Sequence, residues 1–273
     1  MDRVGTASAL GSSARMPAVC AVRAVLAVGC APEGASDDTG APCEDADPCA
    51  AGAAWIDRCA PFDSIQAALD VAAAGATVHV CAGTHHESLH VDVEVHAARL
   101  RLEGTGSGST IIEAQPFDVL TDGAMVREGM VLYADEVDLD LVGLTLRGGT
   151  GYEWSPDTFP DSFGGALDLR RATVALTDVL ITDNRARIGG AVCAEQCALR
   201  FTSSTVQSNT GEGSAVYLLD SSLQSVHSGW GSGVLDNVPV DIEIAAMDDR
   251  KPAYYSYGDD ASFTCDAQAC VDD

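Results

Sequence analysis

The segment TDNRAR, residues 182–187, comes closest in this chain to a set of residue types that could do chemistry. Asp183 could act as an acid or a base and Arg185 could bind an anion, while Asp168 lies shortly before them. Hydrolysis of a glycosidic bond needs two carboxyl groups about 5–5.5 Å or about 6.5–9.5 Å apart. Neighbouring strands lie about 4.8 Å apart, so acids on successive strands could form such a pair. Asp168, Asp183 and Arg185 are therefore the catalytic candidates, and finding them on different faces would argue against an enzyme.

The segment GYEWSPDTFPDSF, residues 151–163, has instead the composition of a binding site. It brings aromatic and acidic residues together, among them Tyr152, Trp154, Phe159, Phe163 and Asp161. Aromatic faces stack on sugar rings, and nearby carboxylates accept hydrogen bonds from sugar hydroxyls. We therefore expect carbohydrate binding by a set of four residues, Tyr152, Trp154, Phe159 and Asp161. The alternative is that these aromatic side chains fold back and cover the protein itself.

Histidines and acids are the candidates for metal binding. Five of the six histidines lie between His79 and His96, beside Cys81. On an extended strand, His90 and His96 would be roughly 20 Å apart at about 3.3 Å per residue, so they cannot share an ion. Asp138 and Asp140 alternate to one side of a predicted strand and could join a Ca²⁺ site. We expect no cofactor, with Ca²⁺ as the one ion that the carboxylates could hold.

The charge and the N-terminus indicate where the chain works. A formal net charge of −26 repels phosphate backbones, so nucleic acid is not an expected partner. Residues 1–29 resemble the signal of a bacterial lipoprotein, in which Cys30 would become the lipid-modified first residue. No later segment is apolar enough to span a membrane. We therefore expect an exported monomer, secreted or held at the outer membrane or cell surface by its lipid alone.

Eight cysteines follow Cys30, and an even number in an exported chain predicts disulfides. Three pairs are close in sequence and leave one distant pair; the pairs are Cys43/Cys49, Cys193/Cys197, Cys265/Cys270 and Cys59/Cys81. A zinc site is the alternative, but the chain contains no C-x-x-C motif. Disulfides are therefore favoured.

A short helix is predicted where the acidic, cysteine-containing linker of residues 30–60 ends. In FDSIQAALDVAAAG, Asp63 can cap the helix with Gln66 reaching back, and Gly75 can close it. One face carries apolar residues at helical spacing: Ile65, Ala68, Leu69 and Ala72. Strict alternation follows, which predicts a strand with one apolar face: Leu89, Val91, Val93 and Val95.

The strongest pattern is a repeat of about 25 residues. GGAL begins at Gly164, GGAV at Gly189 and GSAV at Gly213, at spacings of 25 and 24 residues. Two intervening copies end in Asn184 and Asn209. Short strands with Gly or Asn at fixed turns predict stacked β-coils, with the asparagines stacked at one corner, where asparagine tolerates a left-handed backbone. A globular β-sandwich is the alternative.

At these residues the chain resembles the right-handed parallel β-helices of the pectin-lyase-like superfamily. The stretch from residue 62 to 91 is similar to the cap helix and first coil of exported bacterial members, and NRARIGGAV resembles the N-x-A-x-x-G-G-A repeat of polymorphic outer-membrane proteins. The resemblance implies an all-β, right-handed parallel β-helix over residues 61–247 with an N-terminal cap helix, followed by a disulfide-pinned cap over 248–273.

The same resemblance leaves the function open, because the hydrolase motifs NTD, DD, SHG and R-I-K are not present as a set. We expect a structural or adhesive surface protein that binds an extracellular polysaccharide or a cell-surface partner without catalysis. The alternative is a polysaccharide lyase or a glycoside hydrolase.

Overall fold

A computed structural model describes residues 49, 52–56, 60–121, 124–154, 161–245 and 251–273. The predicted signal segment, Cys30 and most of the 30–60 linker lie outside the described residues. Strands dominate the described part, and one short α-helix lies between the second and third strands. In chain order the elements are β1 (Ala54–Ile56), β2 (Ala60–Phe62), α1 (Ile65–Leu69), β3 (Thr77–Val80), β4 (Gly83–His86), β5 (Leu89–Asp92), β6 (Arg99–Glu103), β7 (Thr110–Glu113), β8 (Phe117–Thr121), β9 (Ala124–Gly129), β10 (Leu132–Asp135), β11 (Asp138–Val142), β12 (Thr145–Arg147), β13 (Gly151–Trp154), β14 (Asp161–Phe163), β15 (Leu167–Arg170), β16 (Thr173–Thr177), β17 (Leu180–Thr182), β18 (Val192–Glu195), β19 (Ala198–Thr202), β20 (Thr205–Gln207), β21 (Val216–Leu219), β22 (Ser222–Ser228), β23 (Ile242–Ala245), β24 (Ala253–Tyr255), β25 (Ala261–Cys265) and β26 (Cys270–Asp272).

Three sheets of parallel strands form the walls of a β-helix. In the ten-stranded sheet, β3, β6, β11, β16, β19 and β22 run parallel in that order. The seven-stranded sheet repeats the arrangement with β5, β10, β15, β18, β21 and β23, and the five-stranded sheet with β4, β7, β12, β17 and β20. Successive coils thus contribute one strand to each wall, except that the last coil adds strands β22 and β23 to two walls only. This arrangement confirms the predicted parallel β-helix and excludes the β-sandwich.

The 25-residue spacing of the sequence is the register of the walls. Val174 pairs with Leu199, which lies 25 residues later in the chain, and the same 25 residues separate GGAL from GGAV. Stacking in this register places apolar side chains in continuous inward rows, and one such row is Leu100, Leu139, Val174, Leu199 and Leu223. Each buried Leu or Val stabilises the fold by about 1.5–3 kcal/mol, so these rows supply much of the driving force.

A ladder of asparagines runs through one corner of the coils. The backbone N–H of Asn184 donates to Oδ1 of Asn209 at 3.1 Å, and that of Asn209 donates to Oδ1 of Asn237 at 3.1 Å. The predicted stacking of Asn184 and Asn209 is therefore confirmed. The predicted left-handed backbone falls one residue earlier, on Asp183 and Ser208, because the asparagine side chains point inward and bond the backbone of the turn.

The cap helix is shorter than predicted and has a different N-cap. Ser64, not Asp63, accepts a hydrogen bond from the backbone N–H of Ala67 at 3.1 Å, and the carboxylate of Glu87 accepts two more at the first turn. The helix ends at Leu69, well before Gly75. The predicted apolar face is buried as expected, namely Ile65, Ala68, Leu69 and Ala72.

The predicted alternation from Leu89 to Val95 holds only as far as Asp92. Beyond that residue the chain turns, because Asp92 Oδ1 accepts a hydrogen bond from the backbone N–H of Glu94 at 2.7 Å. Val95 is consequently 71% exposed. The turn also folds the ring of His96 back against Asp92, so the extended geometry assumed for this histidine is wrong.

Antiparallel strands lie at both ends of the stack. At the N-terminal end β1 pairs with β3, and at the C-terminal end β24 pairs with β23 while β25 pairs with β22 and β26. Trp230 is fully buried among Phe201, Tyr257 and Phe263, which fills the last coil. Such strands cover edges that would otherwise expose unpaired backbone groups.

The disulfides differ from those predicted. Cys265 pairs with Cys270 as expected, but Cys81 pairs with Cys49 rather than Cys59. The reason is that β1 lies against β3, which brings the residues before Ala54 next to those after Val80. Cys43 and Cys59 lie outside the described residues.

The predicted Cys193–Cys197 bridge is wrong. Both thiols are buried and have no disulfide partner among the described residues. Cys197 points into the core at a corner, where its Sγ accepts from the backbone N–H of Ala172, whereas Cys193 lies on the outer side of β18. Their side chains therefore leave the backbone on opposite sides of the wall.

We expect Cys193 and Cys197 to be alkylated by iodoacetamide only after unfolding. Burial raises the pKa of both thiols, so little thiolate is present to react with the reagent in the folded chain. Mass mapping of peptides from native and urea-unfolded protein without reductant tests this, with Cys265 and Cys270 as the unreactive control. A peptide linked through Cys193 and Cys197 would contradict the assignment.

Candidate functional site

The three predicted catalytic residues do not form one site. Asp168 lies in β15 on the outer face of the seven-stranded sheet, in one cavity, and Arg185 lines another. Asp183 is exposed on the turn after β17 and lines neither cavity, and its carboxylate accepts a hydrogen bond from the neighbouring Thr182 hydroxyl. The wall carrying Asp168 and the corner carrying Asp183 face different directions. The structure therefore does not bring the TDNRAR segment and Asp168 into one cavity.

The outer face of the seven-stranded sheet carries a continuous column of polar and aromatic side chains. Parallel register sets one outward residue of each strand beside the next, about 4.8 Å apart. In spatial order the column is His90, Tyr133, Asp168, Cys193, Tyr217 and Glu243. The rings of His90 and Tyr133 stack with their centres 4.9 Å apart, so the column is packed at this end.

Asp168 is the unusual member of this column because it is buried and incompletely bonded. Its side chain is only 4% exposed, yet Oδ2 has no hydrogen-bond partner in the described part of the chain. The guanidinium of Arg170 lies 3.6 Å from Oδ2, which is an ion-pair distance but longer than a hydrogen bond. Buried polar atoms are nearly always bonded, so a buried carboxylate oxygen without a hydrogen-bond partner marks Asp168 as a candidate functional residue.

Burial also changes the acidity of Asp168. Loss of water around the carboxylate raises its pKa to about 6, and the positive charge of Arg170 opposes that rise without cancelling it. Glu195 on the next strand raises the pKa further by repulsion. Asp168 is consequently ionised at neutral pH but close to its titration range.

A cavity of about 230 Å³ opens at Asp168. Its polar side is formed by Asp168, Arg170, Glu195 and Tyr217, and its apolar side by Phe163, Ile188 and Leu219, with Cys193 at the base of the wall. Ligand pockets for drug-sized molecules are typically about 300–1,000 Å³, so this cavity suits one small ring or group. Apolar walls facing a few polar groups are the usual composition of a ligand site. We refer to it as the Asp168 pocket.

The phenols of Tyr133 and Tyr217 and the thiol of Cys193 act as neutral donors rather than nucleophiles. Burial raises the pKa of Tyr133 to about 12 and also raises that of Tyr217, so both phenols remain protonated. Burial likewise raises the pKa of Cys193 well above its ordinary value, so its sulfur stays a thiol. Covalent chemistry through a thiolate is therefore not favoured here.

The predicted binding loop is a β-hairpin. Strand β13 pairs antiparallel with β14, and with β8 and β9 they form a four-stranded antiparallel sheet. Phe159 lies outside the described residues, and for Tyr152, Trp154 and Asp161 the backbone alone is described. The hairpin borders the site through Phe163, which lines the Asp168 pocket.

A second cavity, of about 350 Å³, also borders strand β14. Ser162, Arg185, Arg187 and Glu212 line it, and Nε of Arg187 donates to Glu212 at 2.8 Å. Arg185 is exposed in this cavity. It is more basic than the Asp168 pocket, but none of its described lining residues has a buried polar side-chain atom without a hydrogen-bond partner.

The predicted calcium candidates lie on a different wall. Asp138 and Asp140 point outward from β11, as expected from the alternation. Their register partners on β6 are Arg99 and Arg101, so arginines rather than further carboxylates flank them. Among the described residues, no group of three or more His, Cys, Asp or Glu side chains is arranged to hold a metal ion.

Alignment of the sequence repeats could have predicted part of the site. The residues that directly follow GGAL, GGAV and GSAV are Asp168, Cys193 and Tyr217, so aligning the three copies would have put these side chains side by side. The sixth residue after each first glycine adds Arg170 and Glu195 in the same way. The missing information was which face of each strand points outward.

In comparisons with known proteins, no protein-family model matches the chain, and no curated protein matches it. Among solved structures, the chain is similar to a mutant pectin methylesterase in complex with a hexasaccharide, with 16% sequence identity and a TM-score of 0.43. The match covers 67% of this chain and 55% of that chain, so this chain spans about half the length of that enzyme. Similarity at this level carries no argument about what the chain binds.

Proposed function

We propose that this chain is an exported cell-surface β-helix protein that binds carbohydrate without catalysis, and that the Asp168 pocket is its binding site. The observation that carries the proposal is Asp168, which lines a cavity and whose buried Oδ2 atom lacks a hydrogen-bond partner in the described part of the chain. A sugar hydroxyl or amine would supply the missing donor.

The walls of the pocket match the two kinds of surface that a sugar presents. Phe163 and Leu219 offer apolar surface to the C–H face of a ring, while Arg170 and Tyr217 offer N–H and O–H donors to its oxygens. The hairpin of β13 and β14 stands beside the pocket and would extend the contact along a longer polysaccharide.

Export and lipid anchoring belong to the same proposal. The lipoprotein-like segment ending at Cys30 supports them, as do the Cys49–Cys81 and Cys265–Cys270 bridges, since disulfides persist in oxidising compartments outside the cytosol. Within the described residues there is no helix with the length and apolar character needed to cross a membrane. In this proposal a lipid on Cys30 is the membrane contact, on the outer membrane or cell surface, and the protein acts as a monomer.

Glycoside hydrolysis is the second candidate, and one observation favours it. Burial raises the pKa of Asp168 to about 6, which is the range of a general acid, and Glu195 supplies a second carboxylate in the same pocket. Against this, Arg170 lies close to Asp168 and favours its ionised form over the proton donor that hydrolysis needs.

The test is to incubate the purified protein with neutral, acidic and amine-containing polysaccharides, with and without Ca²⁺. We expect no new reducing ends or unsaturated products, and a rise in Tm with at least one glycan. Asp168→Ala is expected to abolish that rise, while Asp183→Ala on another face preserves it. Turnover that is lost in Asp168→Ala would establish the hydrolase instead, and a flat Tm with every glycan would refute carbohydrate binding.

A further inference from the structure

The Asp168 pocket holds more negative than positive charge. Two carboxylates, Asp168 and Glu195, face one guanidinium, that of Arg170. The guanidinium is also engaged elsewhere, since it lies 5.8 Å from the centre of the Tyr133 ring. A second carboxylate in a poorly hydrated place is unfavourable unless a further counter-charge lies beside it.

That charge balance restricts the ligand. A carboxylate, sulfate or phosphate group on the ligand would face Asp168 Oδ2 at close range, and like charges in a water-poor site repel strongly. A neutral hydroxyl could donate one hydrogen bond but would leave the excess charge. A primary ammonium has three N–H donors, carries no acceptor and supplies the missing positive charge.

We propose that the Asp168 pocket binds the ammonium group of an unacetylated amino sugar, with Asp168 Oδ2 and Glu195 as its acceptors. This inference rests on the proposed carbohydrate-binding function and assigns the class of sugar. A lysine side chain of a protein partner also has an ammonium, but its apolar stem offers no acceptors to Arg170 and Tyr217. The ring hydroxyls of a sugar do offer them, and the apolar wall at Phe163 accommodates the ring face.

The pH dependence follows from the groups around Asp168. It is faced by Arg170 on its own strand, Cys193 and Glu195 on β18, His90 on β5, Tyr133 on β10 and Tyr217 on β21. The thiol and the phenols are neutral at working pH, so Asp168, Glu195 and Arg170 set the charge of the pocket. Asp168 has a pKa of about 6, so its attraction for an ammonium is present above that pH and is lost as the pH falls below it.

The experiment measures the Kd of two oligomers of equal length, one of glucosamine and one of N-acetylglucosamine, by calorimetry at pH 6.5 and 0.15 M salt. We expect the free-amine oligomer to bind at least tenfold more tightly. Asp168→Asn should reduce this preference to less than twofold, and Glu195→Gln should reduce it in part. Asp183→Asn is the matched control, because it removes the same charge from a net charge of −26 at a site outside the pocket.

Each outcome has a distinct meaning. Equal affinity for both oligomers, with binding lost in Asp168→Asn, would refute the amino-sugar inference and leave carbohydrate binding standing. A preference that survives Asp168→Asn would also refute it, since general attraction of a cation to an acidic protein would then be the cause. Tighter binding of tetralysine than of the glucosamine oligomer, sensitive to Asp168→Asn, would replace the sugar by a protein partner. Binding of neither oligomer would overturn the inference, while the glycan panel decides separately on the proposed function.

Discussion

Replacing Asn209 by alanine is expected to lower the free energy of unfolding by about 3 kcal/mol or more. Asn209 is fully buried, and its Nδ2 donates to the carbonyls of Ile181 and Gln207 while its Oδ1 accepts from the backbone of Asn184. Truncation leaves these backbone groups buried without partners in two adjacent coils. An unsatisfied buried group costs about 1–3 kcal/mol, and several are created at once.

Urea unfolding followed by circular dichroism measures this loss. Asn209→Asp tests the same contacts with almost no change in volume, because it removes the Nδ2 donor and is also expected to destabilise. Ser222→Ala, at the exposed first position of β22, is the control and should change stability by less than about 0.5 kcal/mol. A loss below about 1 kcal/mol for Asn209→Ala would mean that water replaces the ladder.

Replacing Asp168 by asparagine is expected to stabilise the protein at pH 8, by up to about 3 kcal/mol. Burial raises the pKa of Asp168 from 3.8 to about 6, so the folded state holds a proton that the unfolded state has already released between these values. The contribution of this group to stability is therefore greatest below about pH 3.8 and is lost as the pH rises through about 6. Asparagine has the same shape and does not titrate, so it avoids that loss.

The measurement is the difference in free energy of unfolding between Asp168→Asn and the wild-type chain from pH 4 to pH 8. We expect the difference to grow with pH and to level off above about pH 7. Asp241, whose pKa burial also raises to about 6, titrates equally in both proteins and cancels from the difference. Asp183→Asn should give no such trend. A difference that does not change with pH, or a destabilised Asp168→Asn at pH 8, would contradict the assignment.

The two expected results assign different roles to Asn209 and Asp168. The asparagine ladder is a fully bonded polar network, so its loss should harm the fold and nothing else. Asp168 is a buried carboxylate that reduces stability at neutral pH, and residues of that kind are concentrated at functional sites. If Asp168→Asn is more stable and no longer binds a glycan, the same carboxylate both destabilises the fold and binds the ligand.

How much the sequence determined can be judged from particular residues. The spacing of Gly164, Gly189 and Gly213 was sufficient to predict stacked parallel coils, because each coil repeats the same turns and the register between coils equals that spacing. The stacking of Asn184 on Asn209 followed from the same arithmetic. These features are periodic, and periodicity is visible in one dimension.

The position of the candidate site depended on three-dimensional geometry that the sequence repeat does not show. Asp168 and Asp183 looked equivalent as acids in the sequence, yet one is buried in a wall and the other is exposed on a turn. Cys193 and Cys197 are close enough in sequence to suggest a bridge, but the corner between them directs their side chains to opposite sides of the wall. Only the tertiary structure decided which outward residues share a cavity, because that depends on where each strand ends and how sharply the chain turns between walls.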